Sequence, residues 1–393
     1  MTVPIGFVSY ETSNSSRAAT ALATSPAMLS SMTGATLSSA TTVMLSRTTP
    51  MAKSMGVDGA LMSEDPAETT DLNADAEPAT RPSDPVAAGD TAGYGTVELE
   101  ANGLTFECLV EHPSADAEDE GDLAVCLHGF PDDAGSMVPV LDALSEAGYT
   151  AVAPYMRGYA PTDPAPDGEY TVRALGTDAT ALLAATADRF DCDGDRVLVG
   201  HDWGAVATYA AAAAKPGAMD RLVAMAVPPR FNALLTRYPR QALRSWYMWF
   251  FQVPGAPERA LRWRDFEFVE FLWGLWSPGW DYSRSRIESV KSTFARGDTV
   301  EHALEYYRQI MGSSLKELVT SGPPSPDERP TIEVPALLVT GARDGSIGTE
   351  LFDEADRAFD GPCRVLRVKE AGHFMHQERP SLVGDEVRRF LRE

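Results

Sequence analysis

Cysteine, lysine and long apolar runs are scarce in this 393-residue chain, and each shortage argues against a kind of structure or partner. The four cysteines are Cys108, Cys126, Cys192 and Cys363. They include no CxxC pair, and two of the four lie in apparent core strands. Disulfides and a metal cluster are therefore not expected, whereas a reducing, cytoplasmic compartment is. No window approaches about 18 consecutive apolar residues, and the N-terminus lacks a basic-then-apolar signal pattern, so neither a transmembrane helix nor a signal peptide is predicted.

Basic side chains are also few: 33 stand against 57 acidic ones, only five are lysine, and the formal net charge is −24. Such a field repels phosphate backbones and anionic lipid, so nucleic acids and membrane surfaces are not expected as partners. An ordinary acidic bacterial protein would have this composition. So would a halophilic protein in a salt-rich cytoplasm, where self-repulsion is screened, and we favour that interpretation.

Residues 1–90 lack the pattern of a folded domain. Residues 1–50 hold 20 Ser or Thr without a sustained period, and residues 63–90 carry eight acidic residues and one basic residue among Pro and Ala. Neither stretch can bury enough apolar surface to offset its ordering entropy. We predict a mostly disordered extension over 1–90, with a targeting or regulatory role as the compositional alternative.

Order is predicted from Tyr94 onward, and Asn102-Gly103 between two alternating segments predicts a β-hairpin. Short apolar runs then alternate with helical segments, as buried parallel strands do. These runs are Leu123–Leu127, Thr150–Pro154, Arg196–Val199, Arg221–Val227 and Ala336–Thr340. The expected fold is α/β, an open, mostly parallel, doubly wound sheet that binds ligands at the carboxyl ends of its strands.

Strand-like runs are absent from about 230 to 330, where six of the seven tryptophans occur. The pattern predicts a helical lid over 230–330, inserted into a core formed by 91–229 and 331–393. An aromatic lid over an active site suits an apolar small-molecule substrate. The alternative is that these rings only form the core of a helical subdomain.

Gly200-His-Asp202-Trp-Gly204 lies between a predicted strand and an alanine-rich helix. Glycines two before and two after the middle residue allow the sharp turn that exposes a nucleophile at the top of such a sheet. That residue is Asp202, whose carboxylate would form an alkyl ester by attacking a saturated electrophilic carbon. Epoxides and alkyl halides offer such carbons, so ordinary esterase or peptidase activity is disfavoured. The alternative is that Asp202 only caps the helix.

An ester on Asp202 would need a base and an orienting acid. His373 follows the last predicted strand and is the candidate base that activates water. Asp344 lies in the turn after the strand at 336–340 and would hold the imidazole. The chain order is then nucleophile, acid, base. We interpret His376 as a packing neighbour, and a plain Asp-Gly turn is the alternative for Asp344.

The segment His128-Gly-Phe130-Pro131 follows the predicted strand 123–127. Backbone N–H groups of Phe130 and Trp203 are the candidates for an oxyanion hole. His128 is expected to brace this loop. No residues suggest a metal ion or an organic cofactor.

Together these motifs resemble the epoxide hydrolase and haloalkane dehalogenase branch of the α/β-hydrolases. The resemblance covers roughly Tyr94 to Glu393 and implies the α/β-hydrolase fold. It is carried by His128–Pro131, Arg157-Gly-Tyr159, Gly200–Gly204, Asp344 and Gly372–Pro380. Two departures, Tyr155 where Asp is usual and Ala160 where Gly is usual, bear on the substrate range.

Two lid segments, Trp246–Gly255 and Glu305–Arg308, resemble the tyrosine segments of epoxide hydrolases. In that family two lid tyrosines hydrogen-bond the epoxide oxygen, a role that the resemblance gives to Tyr247 and Tyr307, with Tyr306 less suited. Ring opening creates an alkoxide that phenols can stabilise and protonate; aromatic packing of the lid is the alternative. The residues predicted to line the substrate pocket are His128, Pro131, Trp246, Trp249 and Phe250.

Epoxide hydrolysis is the leading hypothesis, and two alternatives stay open. Haloalkane dehalogenation would use the same nucleophile, but position 130 holds Phe where the second halide donor is commonly Asn. A ligand-binding relative without turnover would share the fold. A homo-oligomer is compatible with the sequence, which does not specify the substrate.

Overall fold

One mixed sheet organises the residues that the computed structural model describes, which are 69–70, 91, 93–231, 238–321 and 331–393, with 69–70 and 314–321 described in the backbone only. Its order is β1-β9-β8-β7-β6-β4-β5-β3-β2, and neighbours are parallel except where β3 meets β2 and β5. The strands are β1 (Thr69–Thr70), β2 (Gly95–Ala101), β3 (Leu104–Glu111), β4 (Leu123–Leu127), β5 (Thr150–Pro154), β6 (Arg196–His201), β7 (Arg221–Met225), β8 (Ala336–Gly341) and β9 (Cys363–Val368).

The helices of the described residues lie between these strands and, for the last two, after β9. The α-helices are α1 (Val138–Ser145), α2 (Val172–Phe190), α3 (Trp203–Ala214), α4 (Pro239–Arg244), α5 (Trp246–Phe250), α6 (Ala256–Arg262), α7 (Glu267–Trp276), α8 (Arg284–Phe294), α9 (Thr299–Ser321), α10 (Met375–Glu378) and α11 (Pro380–Leu391). Short 3₁₀ helices lie at Ala134–Met137, Pro216–Ala218, Thr349–Phe352 and Ala355–Ala358. None of these described helices is long and apolar enough to cross a membrane.

Both faces of the sheet are covered, which explains why its central strands are continuously apolar. Leu123, Val125 and Leu127 of β4 belong to the hydrophobic core shared with α2 and α3, whereas Ala124 and Cys126 belong to the core shared with α1 and α11. Successive side chains of a strand point to opposite faces. The predicted α/β, doubly wound, mostly parallel sheet is therefore confirmed.

The hairpin predicted at Asn102-Gly103 joins β2 to β3. Both residues have positive φ, 49° for Asn102 and 75° for Gly103, as the two central positions of a type I′ turn require. The described part of the predicted disordered extension 1–90 is the strand Thr69–Thr70, which pairs with β9 at the sheet edge. Composition does not predict that pairing, because it uses backbone groups; the rest of 1–90 lies outside the described residues.

Helices α4 to α9 lie between β7 and β8 and are here called the lid. The lid is fastened to the loop after β4 by buried polar groups. Arg286 of α8 pairs with Asp132 and with Asp133, the latter at 2.9 Å. The indole Nε1 of Trp273 donates to the Pro131 carbonyl at 2.9 Å. These contacts hold the lid over the carboxyl ends of β4 and β6.

Candidate active site

Asp202 occupies a sharp turn between β6 and α3. Its φ of 50° and ψ of −112° lie outside the regions that non-glycine residues ordinarily adopt. A Cβ on Gly200 would collide with the carbonyl of Gly204, and one on Gly204 would collide with the carbonyl of Leu127. The predicted need for both glycines thus has a steric basis, and the turn places a buried carboxylate at the top of the sheet.

The two oxygens of the Asp202 carboxylate have different partners. Oδ1 accepts a 2.9 Å hydrogen bond from the backbone N–H of Phe130. Burial raises the pKa of Asp202, while His373 and the backbone N–H groups of Phe130 and Trp203 oppose that rise. The two main-chain donors predicted for an oxyanion hole therefore both act on this carboxylate.

His373 joins Asp202 to Asp344. Its Nδ1 lies 2.8 Å from Oδ2 of Asp344, and its Nε2 lies 3.7 Å from Oδ2 of Asp202. The other oxygen of Asp344 accepts from the backbone N–H groups of Ser346 at 2.7 Å and Ile347 at 2.9 Å. Burial opposes the charged imidazole, but the carboxylates of Asp344 and Asp202 outweigh it and raise the pKa of His373. The three residues, distant in sequence, are brought together as predicted.

The lid tyrosines Tyr247 and Tyr307 stand opposite Asp202. Their ring centres lie 5.8 Å apart, and both rings line the same cavity as Asp202. Tyr247 Oη lies 3.1 Å from Ser346 Oγ, whereas Tyr307 Oη has no hydrogen-bond partner among the described residues. Burial, and next the charge of Asp202, raise the pKa of both phenols, so both keep their protons.

The cavity has a volume of about 370 Å³ and is mostly apolar. Asp202 is the acidic residue among the side chains that line the cavity. An aliphatic and aromatic wall with a few convergent polar groups suits a small apolar ligand. The lining residues are Val172, Asp202, Trp203, Val206, Tyr209, Ala210, Ala213, Val227, Pro228, Pro229, Arg230, Phe231, Tyr247, Met248, Tyr307, Ile310, Ile332, Ile347 and Ala358.

The lid residues predicted to line the pocket do not line this cavity. On α5, Tyr247 and Met248 face the cavity, and so Trp246 and Trp249 face outward, exposed at 38% and 63%. Phe250 packs against Trp246, with ring centres 6.2 Å apart. The prediction placed Trp246, Tyr247, Trp249 and Phe250 at one site, but a single helical turn can present only part of them to one side.

His128 and Pro131 are also absent from the cavity wall. His128 Nε2 accepts from the backbone N–H of Met156 at 3.0 Å, and Nδ1 bonds the Gly129 carbonyl at 3.0 Å. Burial lowers the pKa of His128 to about 4, so the ring is neutral. His128 thus braces the loop, as expected. Pro131 acts through its carbonyl, which accepts from Trp273.

Two further expectations concern neighbours of the site. Tyr306 donates its hydroxyl to the carbonyl of Arg157 at 2.8 Å and does not line the cavity. His376 is buried with its ring centre 4.4 Å from that of His201, and burial lowers its pKa to about 3. Both residues therefore pack beside the site.

Sequence reasoning missed Ser346 and Gln241. Ser346 contacts the Tyr247 hydroxyl across 99 positions, and Gln241 donates to the Ser346 carbonyl across 105. A serine in a loop and a glutamine on a short helix carry no periodic signal. The nearest available signal was the position of Ser346 two residues after Asp344.

The alpha/beta hydrolase family profile matches residues 124–386. The chain belongs to this family, and it is an enzyme of the hydrolase class.

Among its relatives, an AB hydrolase superfamily protein of Bacillus subtilis is 27% identical over 299 residues, 75% of this chain and 96% of that protein. Epoxide hydrolase 3 of Xenopus tropicalis is 27% identical over 308 residues, 76% of this chain and 78% of that protein. The crystal structure of epoxide hydrolase A from Mycobacterium thermoresistibile matches with a TM-score of 0.61 at 27% identity, covering 76% of this chain and 98% of that one. The chain is thus similar to epoxide hydrolases in both sequence and fold.

Proposed function

We propose that this protein is an epoxide hydrolase that forms a covalent ester on Asp202. One observation carries the proposal: a carboxylate stands at the turn after β6, bonded to the Phe130 N–H and 3.7 Å from His373, in one cavity with two lid phenols. Similar proteins are named epoxide hydrolases, which supports epoxides as the substrate class of this chain.

In the first half-reaction, Oδ2 of Asp202 attacks a ring carbon of the epoxide. The ring C–O bond breaks, its electron pair goes to the oxygen, and a phenol proton from the lid neutralises the developing alkoxide. Tyr247 and Tyr307 are the donors that the cavity presents. The product is a hydroxyalkyl ester of Asp202 and one phenolate.

In the second half-reaction, His373 takes a proton from water, whose oxygen attacks the carbonyl carbon of the ester. Negative charge develops on Oδ1, to which the Phe130 N–H already donates, and the Trp203 N–H also interacts with this carboxylate. Asp344 stabilises the imidazolium. The intermediate collapses to the diol and the free carboxylate, and the imidazolium proton returns to the phenolate, so the net reaction adds one water to one epoxide.

Isotope labelling tests the covalent route. Excess enzyme is reacted once with styrene oxide in H₂¹⁸O, and both the diol and the peptide that contains Asp202 are analysed by mass spectrometry. We expect ¹⁸O in Asp202 and an unlabelled diol, since water attacks the ester carbonyl. Label in the diol and none in Asp202 would instead indicate direct attack of water on the epoxide and would exclude the ester.

Haloalkane dehalogenation is a second candidate, and one observation favours it. Trp203 lines the cavity, and its indole Nε1 is buried without a hydrogen-bond partner among the described residues. Such a donor suits a departing halide, but Phe130 adds no side-chain donor beside it. Halide release from a panel of bromoalkanes tests this function; release faster than diol formation from epoxides would make it the main activity.

A further inference from the structure

The hydroxyl group of Ser346 distinguishes the two lid tyrosines. Ser346 is fully buried behind Tyr247 and does not line the cavity. Its Oγ lies 3.1 Å from Tyr247 Oη. Tyr307 has no comparable hydroxyl beside it: its neighbour is the indole of Trp203, with ring centres 4.9 Å apart. The indole N–H acts to lower the pKa of Tyr307, but the two groups do not reach hydrogen-bond geometry, and neither has another hydrogen-bond partner among the described residues.

We propose that Ser346 is a positioning residue that makes Tyr247, rather than Tyr307, the tyrosine that transfers its proton to the epoxide oxygen. The proposal rests on the proposed epoxide hydrolase function. It assigns different tasks to two residues that the fold places side by side. Tyr247 gives up its proton, and Tyr307 only donates a hydrogen bond.

The direction of the Ser346 hydrogen bond decides the task of Tyr247. If Ser346 donates to Tyr247 Oη, the phenol proton must point elsewhere, and the cavity is where the Tyr247 ring is exposed to a ligand. An epoxide oxygen that accepts this proton completes a chain from Ser346 through Tyr247 to the substrate. Each bond of such a chain polarises the next.

The same bond stabilises the product of proton transfer. When the ring opens, the Tyr247 O–H bond breaks, its proton binds the alkoxide, and the electron pair stays on Oη as a phenolate. The Ser346 O–H then donates to a charged oxygen, which is a stronger bond than one to a neutral oxygen. A phenolate on Tyr307 would have no such hydroxyl beside it, only the indole N–H of Trp203, which is not within hydrogen-bond geometry of Tyr307 Oη. Tyr247 is therefore the better acid during ring opening.

Gln241 of α4 holds the main chain of Ser346 in place. Its amide Nε2 donates to the Ser346 carbonyl at 2.8 Å and to Ser245 Oγ at 3.0 Å, while Oε1 accepts from Gly348 N at 2.9 Å. Gln241 is fully buried, and both ends of its amide are used. The loop that carries Asp344 is thus tied to the lid segment that carries Tyr247.

A double-mutant cycle tests the proposal. Ser346→Ala is introduced into three backgrounds: the intact protein, Tyr247→Phe and Tyr307→Phe. The rate of ester formation from styrene oxide is measured in single turnovers with and without Ser346→Ala in each background. In the intact protein and in Tyr307→Phe, we expect Ser346→Ala to slow ester formation about 10- to 100-fold, as the loss of one hydrogen bond to a charged group should. In Tyr247→Phe, the same change should slow it less than about 2-fold, because the partner is gone.

Two controls separate this role from a structural one. Ser346→Thr keeps a hydroxyl and should restore most of the lost rate. Hydrolysis of the preformed ester should change less than about 3-fold in Ser346→Ala, since the backbone N–H that holds Asp344 remains. An equal loss in all three backgrounds, or no loss in the intact protein, would overturn the proposal. Failure of the intact protein to open any epoxide would instead refute the proposed function, and the two failures are distinguished by that measurement.

Discussion

The backbone N–H of Phe130 donates a 2.9 Å hydrogen bond to Oδ1 of Asp202, which leaves Oδ2 as the oxygen nearer to the imidazole of His373. One oxygen of this carboxylate is therefore held by a main-chain donor, and the other is the oxygen that we propose attacks the epoxide. The same N–H group would stabilise charge on Oδ1 when water attacks the ester. From this arrangement we expect two separable steps, which are formation of the ester on Asp202 and its hydrolysis.

Replacement of His373 should separate the two steps. In His373→Gln, we expect ester formation to continue, because the N–H groups of Phe130 and Trp203 still stabilise the Asp202 carboxylate, while ester hydrolysis falls by about 10³- to 10⁴-fold through loss of the base. Intact-protein mass spectrometry after mixing with styrene oxide should show a stable adduct of one substrate. Asp202→Asn is the control and should show none. An adduct-free His373→Gln protein that still makes diol would contradict the assignment.

The lid phenols should be needed for ring opening. Tyr307→Phe removes one donor to the developing oxyanion and should slow ester formation by about 10²-fold. The matched control is Tyr306→Phe, one residue away, whose hydroxyl donates to the Arg157 carbonyl instead. That change should lower stability by about 1 kcal/mol and slow ester formation less than about 5-fold. Single-turnover rates and thermal unfolding measure both effects; equal rates for the two variants would argue against a role for Tyr307.

The two steps should respond differently to acid. The carboxylates of Asp344 and Asp202 raise the pKa of His373 in the free protein. Once Asp202 is alkylated, its charge is lost, and so the pKa of His373 falls. Neutral imidazole is the base, so ester hydrolysis declines as the pH falls through this lowered pKa.

Ester decay after a pH jump, compared with an NMR titration of His373 in the free protein, checks this expectation. The decay should decline at a lower pH than the one at which free His373 titrates. Coincidence of the two midpoints would mean that the charge of Asp202 has no influence on His373.

The buried Arg286 should stabilise the junction between lid and core. Arg286→Met leaves the carboxylates of Asp132 and Asp133 buried without their cation, which should lower the free energy of unfolding by about 3–5 kcal/mol. Arg284→Met is the matched control on the same helix; its side chain is 70% exposed and pairs with Glu288. That control should lose less than about 1 kcal/mol. Chemical denaturation of the two variants measures the difference, and a similar loss in both would contradict the buried-pair interpretation.

Much of the fold could be predicted from short-range sequence patterns. The apolar runs Leu123–Leu127 and Thr150–Pro154 are strands with the predicted bounds. Asp202 stands between two glycines whose Cβ atoms would have no space. These features depend on local sterics and on burial of whole segments, and both determine the residue types at consecutive positions of the sequence. The meeting of Asp202, Asp344 and His373 followed because parallel strands end at one edge of the sheet.

The cavity wall could not be predicted in the same way. Trp249 and Met248 are neighbours, yet one is exposed and the other faces the ligand space, because successive helix residues point about 100° apart and packing sets how α5 is turned about its axis. The contact of Ser346 with Tyr247 joins a loop after β8 to a lid helix. No sequence pattern around either residue predicts this contact.

By itself, the sequence determined the class of fold, the carboxylate at the turn and the positions of Asp344 and His373 after predicted strands, because these depend on local backbone sterics and on which segments must be buried. The tertiary structure alone decided which lid side chains face Asp202, which phenol Ser346 contacts, and how Arg286 fastens the lid. Those outcomes depend on the packing of helices that are distant in sequence, where only three-dimensional complementarity selects one contact over another.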